Sequence, residues 1–381
     1  MVPEAAQGRR QALVVGHPKR LADEAFAGFA EDFHFVNLSD VSDVSVESVS
    51  DGLLAAVDRV MARQPFSAVV ATSESTILTA GLLRSRYGLP GPRFDDALVV
   101  TNKWRMRSTL RAAVRSPRAW LSGEFLTVPE SDGMQDDVVV KPLASSSARG
   151  VRRMDAAAAR AWLAEDGGLW LVEQAIDVVR EFHCDGAFTN GQVEWVEVSE
   201  YDRPVLVSHG TRTTTILSCG DALRDELVAC ASDVVRALAV PEGVFHMEFL
   251  YDGRELYFGE VGLRPAGTGI AELLHIATGA GLWSAFVAAQ LGRTSVGFNP
   301  VRVAPELTGL VMARPSTSGI APIPPDEARG LPGVVSIGEG NIGRGTTPGH
   351  MCEFEYLAFF SGLTAEAVAR LRERIAPGEG R

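Results

Sequence analysis

Two acidic residues lie where a carboxylate is costly to place. Glu248 and Glu260 each stand inside an otherwise apolar run of β-type residues, and a Tyr251-Asp-Gly-Arg254 turn joins the two runs. Burying a carboxylate costs several kcal/mol unless a positive charge lies against it. Mg2+ suits such a pair better than zinc or calcium, because it takes few protein ligands together with water and phosphate oxygens. Arg264 follows closely and offers a guanidinium fork for a carboxylate or a phosphate. The stretch therefore indicates nucleotide chemistry.

The register of this hairpin stays open at the level of sequence. A tight two-residue turn at Asp252-Gly253 would place Glu248 opposite Tyr257, whereas a wider loop over residues 252–256 would place it level with Glu260. Two solvent-facing glutamates on a hairpin are the simpler alternative. The apolar residues around them favour the metal site.

A lysine at the end of an apolar strand is a second candidate for phosphate binding. Lys141 follows Val138–Val140 and precedes a loop of small residues, whose backbone N–H groups can approach an anion closely. An ordinary strand terminus explains Lys141-Pro142 equally well. The loop residues predicted to contact the nucleotide are Ser145, Ser146, Ser147 and Gly150.

The segment Glu173-Gln174-Ala175-Ile176 follows another apolar strand. An adenine ring needs an acceptor for its amino group, an N–H donor and an apolar slot. The carbonyl or the carboxylate of Glu173, together with the Ile176 amide, can supply the polar contacts. Glu181, further along, can hold the ribose hydroxyls. Exposed acidic residues at a domain connection are the alternative.

Composition restricts the class of protein. The chain has 381 residues, 46% hydrophobic and 22% charged, with no apolar run that approaches the roughly 20 residues of a membrane helix. The net charge of −12 argues against a general nucleic-acid binder. Four cysteines without metal-site spacing, and a start that lacks a secretory signal, predict free thiols in the cytoplasm. An arginine series is interpreted as a solvated helix face: Arg105, Arg107, Arg111, Arg115 and Arg118.

Hydrophobic periodicity predicts three regions. Residues 1–100 alternate strands and helices as an open α/β domain does, and no Gly-x-Gly-x-x-Gly follows the first strand, which disfavours a dinucleotide-binding domain. Residues 101–300 read as the catalytic domain, with a lid at about 115–175. Asn190-Gly191 marks a hairpin within it. Residues 301–381, rich in glycine and proline, read as a small β-rich appendage.

Taken in order, these segments resemble the ATP-grasp superfamily, and within it the carboxylate-amine ligases of the L-amino acid ligase type. The resemblance covers about residues 69–270. Two departures from the family pattern stand out, namely Asn102 in place of Asp and Gly262 in place of a frequent metal-binding Asn. The motifs that carry it are Ser73-Glu74, Gly88–Gly91, Asn102–Arg107, Val140-Lys-Pro, Val172–Ile176, His246-Met-Glu248 and Glu260-Val-Gly-Leu-Arg-Pro265.

The resemblance implies roles for individual residues. Lys103 and Lys141 would contact ATP phosphates, and Glu248 and Glu260 would bind Mg2+, for which Mn2+ can substitute. Arg264 would stabilise the transferring phosphate. The hinge residues Glu173, Gln174 and Ile176 would hold adenine, and Glu181 the ribose. The residues proposed for the substrate pocket are His209, Arg212, His246, Gly267 and Thr268.

The same resemblance implies an α/β fold, α+β in its catalytic part, with an N-terminal domain, a mobile lid and a C-terminal appendage. It implies an ATP-dependent ligase that forms an amide or a dipeptide from a carboxylic acid and an amine through an acyl phosphate. An enzyme of the same fold with another acceptor, carboxylase-like or hydroxyl-acylating, is one alternative, and a catalytically silent nucleotide-binding protein is another. The expected partners are small-molecule carboxylates and amines, without nucleic acid or membrane, and a homodimer is compatible with the family.

Overall fold

The structure is a computed structural model of the chain. It describes residues 9–16, 23–41, 49–128, 137–145, 148–207, 210–293, 306–315, 321–341 and 353–377. Three sheets organise the described residues. Helices accompany each sheet, and the chain has a mixed α/β fold.

The N-terminal sheet is parallel and has the strand order β2-β1-β3. Strand β3 and the last four residues of β1 are apolar and buried, as expected for a parallel sheet covered by helices, whereas the edge strand β2 is partly buried. This confirms the predicted alternation of strands and helices. The helix after the third strand begins at Glu74. The elements are β1 (Arg10–Val15), α1 (Asp23–Ala27), β2 (Phe33–Asn37), α2 (Leu38–Val41), α3 (Asp51–Arg63), β3 (Ala68–Ala71) and α4 (Glu74–Tyr87).

Two short helices, α5 (Phe94–Thr101) and α6 (Lys103–Leu110), lead to a second sheet. Asn102, one departure from the family pattern, caps α6, because its side chain accepts a hydrogen bond from Arg105 N at 3.0 Å. The second sheet is antiparallel in the order β4-β7-β5-β6. Its elements are β4 (Ala119–Leu121), α7 (Ser122–Thr127), β5 (Asp137–Pro142), β6 (Arg152–Asp155), α8 (Ala156–Asp166) and β7 (Trp170–Gln174).

The central sheet is antiparallel, with the order β12-β11-β8-β9-β10-β13-β15-β14. The predicted Asn190-Gly191 hairpin is confirmed, because Thr189 pairs with Gln192 and both turn residues have positive φ. The elements are β8 (Arg180–Thr189), β9 (Gln192–Tyr201), β10 (Arg212–Ile216), α9 (Arg224–Leu238), β11 (Glu242–Tyr251), β12 (Leu256–Gly262), α10 (Ile270–Thr278), α11 (Leu282–Gln290), β13 (Leu307–Ala313), α12 (Pro325–Arg329), β14 (Val334–Glu339), β15 (Tyr356–Leu363) and α13 (Ala365–Ile375).

The C-terminal strands extend this central sheet. Thr214 of β10 pairs with Leu310 of β13, which in turn pairs with Phe359 of β15. The segment interpreted from sequence as an appendage thus shares a sheet with the residues of the catalytic region. The predicted domain boundaries themselves stay a prediction.

The two faces of the central sheet differ in polarity. Phe182 and Cys184 of β8 point to one face and pack with Met247, Phe249 and helix α9. Residues at the alternate positions of β8, such as Glu181, His183 and Asp185, must point to the other face. This alternation gives the sheet an apolar side and a buried polar side.

Among the described helices, none is by itself long and apolar enough to cross a membrane. The bent pair α10 and α11, whose axes differ by 110°, meets the length and composition requirement only when both helices are taken together.

Candidate active site

A β-bulge places the two acidic residues of the hairpin directly opposite each other. Tyr251 pairs with Leu256 and Phe249 with Phe258, so the register at the turn would not align Glu248 with Glu260. The register then shifts by one residue at Gly259, and Glu248 lies directly opposite Glu260. Both predicted turn lengths were wrong, because the strands are joined by residues 252–255 and the bulge supplies the remaining offset.

Gly259 fits this bulge because it has no side chain. A Cβ atom at this position would lie 2.9 Å from the Glu248 carbonyl oxygen. The Gly259 carbonyl accepts a hydrogen bond from Arg107 Nη2 at 2.5 Å. The close approach of β12 to β11 and the contact with Arg107 together fix the position of Glu260.

The polar face of the central sheet and the second sheet border a cavity of about 330 Å3. Gly150 is not among the described lining residues; its φ is +75°, and a Cβ atom at this position would lie 2.9 Å from Pro142 Cγ. Ser146, Ser147 and His209 are outside the described residues. Predicted site residues that do line the cavity are Lys103, Lys141, Ser145, Glu173, Gln174, Ile176, Glu181, Arg212, His246, Glu248, Glu260, Arg264, Gly267 and Thr268.

Lys103 and Glu260 form an ion pair at the cavity wall, with Nζ 2.5 Å from Oε2. Burial alone would raise the pKa of Glu260, but Lys103 and Lys141 lower it to about 2. Burial favours the neutral form of Lys103 and by itself would lower its pKa. The Glu260 carboxylate more than offsets this effect, so the pKa of Lys103 is raised. The carboxylate at position 260 is therefore ionised over the ordinary pH range and can bind a cation.

Glu173 uses its carboxylate to hold two cations. Arg107 Nε lies 2.5 Å from one oxygen and Lys141 Nζ lies 2.6 Å from the other, and the Glu173 side chain is almost fully buried. Despite burial, these two cations keep the pKa of Glu173 below its usual value, whereas burial lowers the pKa of Lys141. The Glu173 carboxylate, one of the two groups predicted to contact adenine, is thus already paired within the protein.

Arg107 is a site residue that the sequence interpretation missed. It was assigned to a solvated arginine face, yet it is 6% exposed and lines the cavity. Its position four residues after Lys103 was the available signal, because residues at that spacing share one face of helix α6. Its Nη1 atom is buried and has no hydrogen-bond partner among the described residues.

Arg264 is held by an acidic residue of the N-terminal domain. Its Nε donates to Glu74 Oε2 at 2.9 Å, and its Nη2 contacts the same oxygen. Burial works against the charged form, but Glu74, Glu260 and Glu248 raise the pKa of Arg264 above its usual value. Glu74 begins helix α4, so a helix that follows the N-terminal sheet holds Arg264 in place, although Glu74 is not itself among the described lining residues.

Glu181 has a different environment from the other carboxylates. It is 5% exposed, and its Oε2 accepts a hydrogen bond from Val205 N at 2.7 Å. Burial, followed by the charge of Glu248, raises the pKa of Glu181 to about 8. Three carboxylates, those of Glu181, Glu248 and Glu260, therefore share one region of negative potential.

The donor set of the cavity fits Mg2+ and phosphate groups. Glu248 and Glu260 present two carboxylates from neighbouring strands, and their side chains are 27% and 34% exposed to the cavity. Ser145 Oγ is buried and has no hydrogen-bond partner among the described residues. Oxygen ligands that leave most positions to water and phosphate suit Mg2+, and an unpaired hydroxyl suits a phosphate oxygen.

A buried polar chain lies behind Glu248 and was not predicted. Thr214 Oγ1 lies 2.7 Å from His183 Nε2, and Asp185 Oδ2 lies 2.5 Å from His183 Nδ1. Asp185 Oδ1 accepts from His246 Nδ1 at 2.9 Å, and His246 Nε2 lies 3.5 Å from Glu248 Oε1. Burial works against the charged form of Asp185, but the two histidines lower its pKa. Burial also works against a charged His246, but Asp185 and Glu248 raise its pKa to about 10.

This chain of contacts gives His246 partners within the protein, whereas the sequence predicted it as a substrate contact. The ligand atoms of His183, Asp185 and His246 lie within 4.8 Å of one another, as in a metal site. Each oxygen of Asp185 already pairs with a histidine nitrogen, so we read the group as a hydrogen-bonded charge network. The alternating polar positions of β8 were the signal for His183 and Asp185.

The substrate end of the cavity contains one residue in an uncommon backbone conformation. Thr268 has φ of +58°, which is unusual for a β-branched residue. It is followed by Gly269 at φ +80°, where a Cβ atom would lie 2.4 Å from Leu357 Cδ1 and 3.4 Å from Leu310 Cδ2. The loop thus packs directly on the C-terminal strands and carries Gly267 and Thr268 to the cavity.

Comparison with known proteins gives the class. No family model matches the chain. The fold is that of a crystal structure of an L-amino acid ligase from Bacillus licheniformis, with a TM-score of 0.71, 17% identity and 96% of each chain covered. An ATP complex of carboxyaminoimidazole ribonucleotide synthase from Aspergillus clavatus matches with a TM-score of 0.69, 15% identity, and 97% of this chain and 99% of that one. The likeness to these structures shows the fold, which agrees with the fold that the motifs predicted.

In sequence, the chain is similar to a curated ligase. It is 29% identical over 262 residues to the L-arginine-specific L-amino acid ligase of Bacillus subtilis. The match covers 64% of this chain and spans 61% of the length of that relative.

Proposed function

We propose that the protein is an ATP-dependent ligase that joins an amino acid, or a related carboxylic acid, to an amine. The observation that carries this proposal is the pairing of Glu248 with Glu260 across the bulged hairpin, inside one cavity with Lys103, Lys141 and Arg264. Two carboxylates and three cations around one space suit a metal-bound triphosphate and a substrate carboxylate. A protein that only bound nucleotide would have no need of Arg264 beyond the phosphate-binding lysines.

The reaction needs ATP because a carboxylate does not react with an amine at neutral pH. A carboxylate oxygen of the substrate attacks the γ-phosphorus of ATP, ADP leaves, and an acyl phosphate forms. The amine nitrogen then attacks the acyl carbon, inorganic phosphate leaves, and the amine loses a proton. The products are an amide, ADP and phosphate.

Individual residues of the cavity have separate roles in this reaction. Lys103, Lys141 and Arg264 bind phosphate oxygens and offset the negative charge on the transferring group. Ser145 contributes a hydroxyl, and Ile176 an amide and an apolar surface for the base. Glu248 and Glu260 would hold Mg2+, which when bound neutralises phosphate charge. The second sheet borders the same cavity, so that its closure would exclude water from the acyl phosphate.

The similarity to an L-arginine-specific L-amino acid ligase supports an amino acid as the carboxylate substrate. We also propose a cytoplasmic protein that acts on small molecules as a homodimer. The net charge of −12 and the described cysteines, Cys184, Cys219 and Cys230, which are free, support a small-molecule enzyme of a reducing compartment. Light scattering after gel filtration tests the dimer.

The proposal is tested by incubating the protein with ATP, Mg2+ and pools of amino acids. We expect phosphate release that depends on the amino acids, together with dipeptides or other amides detected by mass spectrometry. Release of AMP and pyrophosphate instead of ADP and phosphate would contradict the acyl phosphate route.

A single substitution links that activity to the metal site. Glu260→Gln should reduce phosphate release by at least about 100-fold, because the amide cannot replace the charge of a carboxylate ligand or pair with Lys103. Glu255→Gln is the matched control, since Glu255 lies on the same hairpin in an exposed ion pair with Arg115. Activity of Glu260→Gln equal to that of the control would remove Glu260 from the site.

A further inference from the structure

A row of polar side chains crosses the central sheet at Glu248. Strand register places Glu248 between Glu260 of β12 and His183 of β8. The neighbouring pair on the same face is His246 of β11 with Asp185 of β8, because side chains two residues apart on a strand point the same way. His183 and Asp185 are 0% exposed, whereas Glu248 and His246 line the cavity. The two buried residues of β8 therefore lie behind residues that face the cavity.

The two glutamates of the hairpin differ in what holds them. Glu260 contacts Lys103, whose Nζ lies 2.5 Å from its Oε2. Among the residues that the structure describes, His246 is the one ion-pair partner of Glu248, with Nε2 3.5 Å from Oε1. The orientation of the His246 ring therefore bears directly on the position of the Glu248 carboxylate.

Asp185 fixes the ring of His246. Its Oδ1 accepts a hydrogen bond from His246 Nδ1 at 2.9 Å, which leaves Nε2 turned toward Glu248. Its Oδ2 accepts from His183 Nδ1 at 2.5 Å, and His183 Nε2 lies 2.7 Å from Thr214 Oγ1. Both oxygens of the carboxylate are thus engaged, so the Asp185 side chain cannot rotate without breaking a buried hydrogen bond.

These distances distinguish a hydrogen-bonded support from a ligand set. Ligand atoms about 2.0–2.2 Å from one tetrahedral zinc ion lie roughly 3.3–3.6 Å from one another. The Asp185 oxygens lie 2.5 Å and 2.9 Å from the nitrogens of His183 and His246, which are hydrogen-bond distances. The group therefore acts on Glu248 by orienting its neighbour.

We propose that Asp185 is a positioning residue for Glu248 and acts through His246. The inference rests on the proposed function, because it takes Glu248 as a ligand of Mg2+, and it adds a residue that touches neither metal nor substrate. Loss of a group that orients a metal ligand weakens metal binding by about 10- to 100-fold. Loss of a group that only stabilises the fold leaves the metal affinity of the folded protein unchanged.

The test measures the dissociation constant of Mn2+ from the full chain in the presence of saturating ADP. Water-proton relaxation provides the signal, because it distinguishes Mn2+ on the protein from Mn2+ on free ADP. Asp185→Asn keeps the size of the side chain, but its amide nitrogen cannot accept a hydrogen bond from the second histidine. We expect the dissociation constant of Mn2+ to rise about 10- to 100-fold, and that of ADP without metal to change by less than about twofold.

Asp221→Asn is the matched control, because it makes the same chemical change away from the cavity. Asp221 Oδ2 lies 2.8 Å from Arg180 Nη2, and Asp221 is not among the described lining residues. Urea unfolding of both variants separates a loss of stability from a loss of metal affinity. Mn2+ binding by Asp185→Asn as tight as that by Asp221→Asn would overturn the positioning role.

A double-mutant cycle tests the path through His246. His246→Asn places an amide nitrogen near the position of Nδ1 but has no atom at Nε2, so it removes the contact with Glu248. If Asp185 acts through His246, the double variant Asp185→Asn/His246→Asn should bind Mn2+ as His246→Asn alone does. Losses of affinity that add would contradict this path.

Asp185→Ser, with a smaller side chain, takes the place of Asp185→Asn in both experiments if the asparagine variant does not fold. Wild-type protein that binds no Mn2+ with ADP would contradict the metal site of the proposed function. Normal binding by wild type together with unchanged binding by the Asp185 variant would overturn the positioning role alone.

Discussion

At the scale of single residues, the cavity pairs most of its carboxylates with cations. Glu260 contacts Lys103, Glu173 contacts Arg107 and Lys141, and Glu74 contacts Arg264. Glu181 departs from this pattern, because its carboxyl accepts a hydrogen bond from the Val205 backbone amide, and burial followed by the charge of Glu248 raises its pKa. Burial of Glu181 therefore lowers the stability of the metal-free protein at pH values where the unfolded chain ionises this residue.

Glu181→Gln should stabilise the metal-free and nucleotide-free protein in a pH-dependent way. The pKa of Glu181 rises from its ordinary value of 4.5 to about 8 on folding. Below pH 4.5 the residue is protonated in both folded and unfolded states, and between 4.5 and 8 the unfolded state alone ionises, which lowers the stability of wild type. The gain in urea unfolding midpoint should thus be larger at pH 8.5 than at pH 5.

The exposed Glu165→Gln is the control for that measurement, because a solvated carboxylate has little differential interaction with the folded state. A Glu181→Gln variant that is destabilised equally at both pH values would contradict the argument.

Sequence predicted the location of both lysines of the cavity, and their roles stay predictions. Lys141 was singled out because it follows an apolar strand and Lys103 because its motif resembles the family pattern, and both line the cavity. The partner of Arg264 was not predictable in this way, because Glu74 is 190 residues away and the contact depends on how the N-terminal domain packs. Arg107 was misassigned since an arginine series on a helix looks the same whether its face is solvated or covered.

At the scale of elements, the bulged hairpin is the feature that places Glu248 opposite Glu260. The two apolar runs predicted two strands, but the sequence left the turn length open, and the turn of residues 252–255 reaches this alignment only with a bulge. The missing information was a register shift that depends on Gly259 and on its contact with Arg107 of a different helix. A bulge of this kind leaves no mark in the sequence beyond a glycine in a strand.

Gly259→Ala should therefore disturb both stability and activity. The added Cβ would lie 2.9 Å from the Glu248 carbonyl oxygen, so the strands must separate or the bulge must move, at a cost of about 1–3 kcal/mol. Denaturant unfolding measures the stability, and amino-acid-dependent phosphate release should fall by more than the folded fraction does.

Gly262→Ala on the same strand is the comparison for stability. Its Cβ would meet Arg264 Cγ at 3.6 Å, an ordinary contact, and its unfolding free energy should change by less than about 0.5 kcal/mol. Equal stability of the two variants would show that the bulge tolerates a side chain.

At the scale of the whole molecule, Glu74 of the N-terminal part of the chain holds Arg264, which lines the cavity. The order of strands and helices was predictable from hydrophobic periodicity, whereas the position of the N-terminal sheet against the central sheet was not. The described contacts include a buried latch, in which Gln290 at the end of α11 accepts from Ala71 N at 2.7 Å and from Arg84 Nη2 at 2.6 Å. Gln290 also donates to the Ala71 carbonyl at 3.2 Å.

The latch lies next to the residue that holds Arg264. Ala71 ends β3, and Glu74 begins the following helix three residues later. Replacing Gln290 by leucine should leave Ala71 N and part of Arg84 buried without partners, at a cost of about 1–3 kcal/mol for each group. Because Glu74 follows Ala71 so closely, the loosened end of β3 should also release Arg264, and kcat should fall while KM for ATP changes little.

Urea unfolding and steady-state kinetics of Gln290→Leu measure the two effects, with the exposed Gln192→Leu as control. A loss of stability with unchanged kcat would show that the latch supports the fold without positioning Glu74.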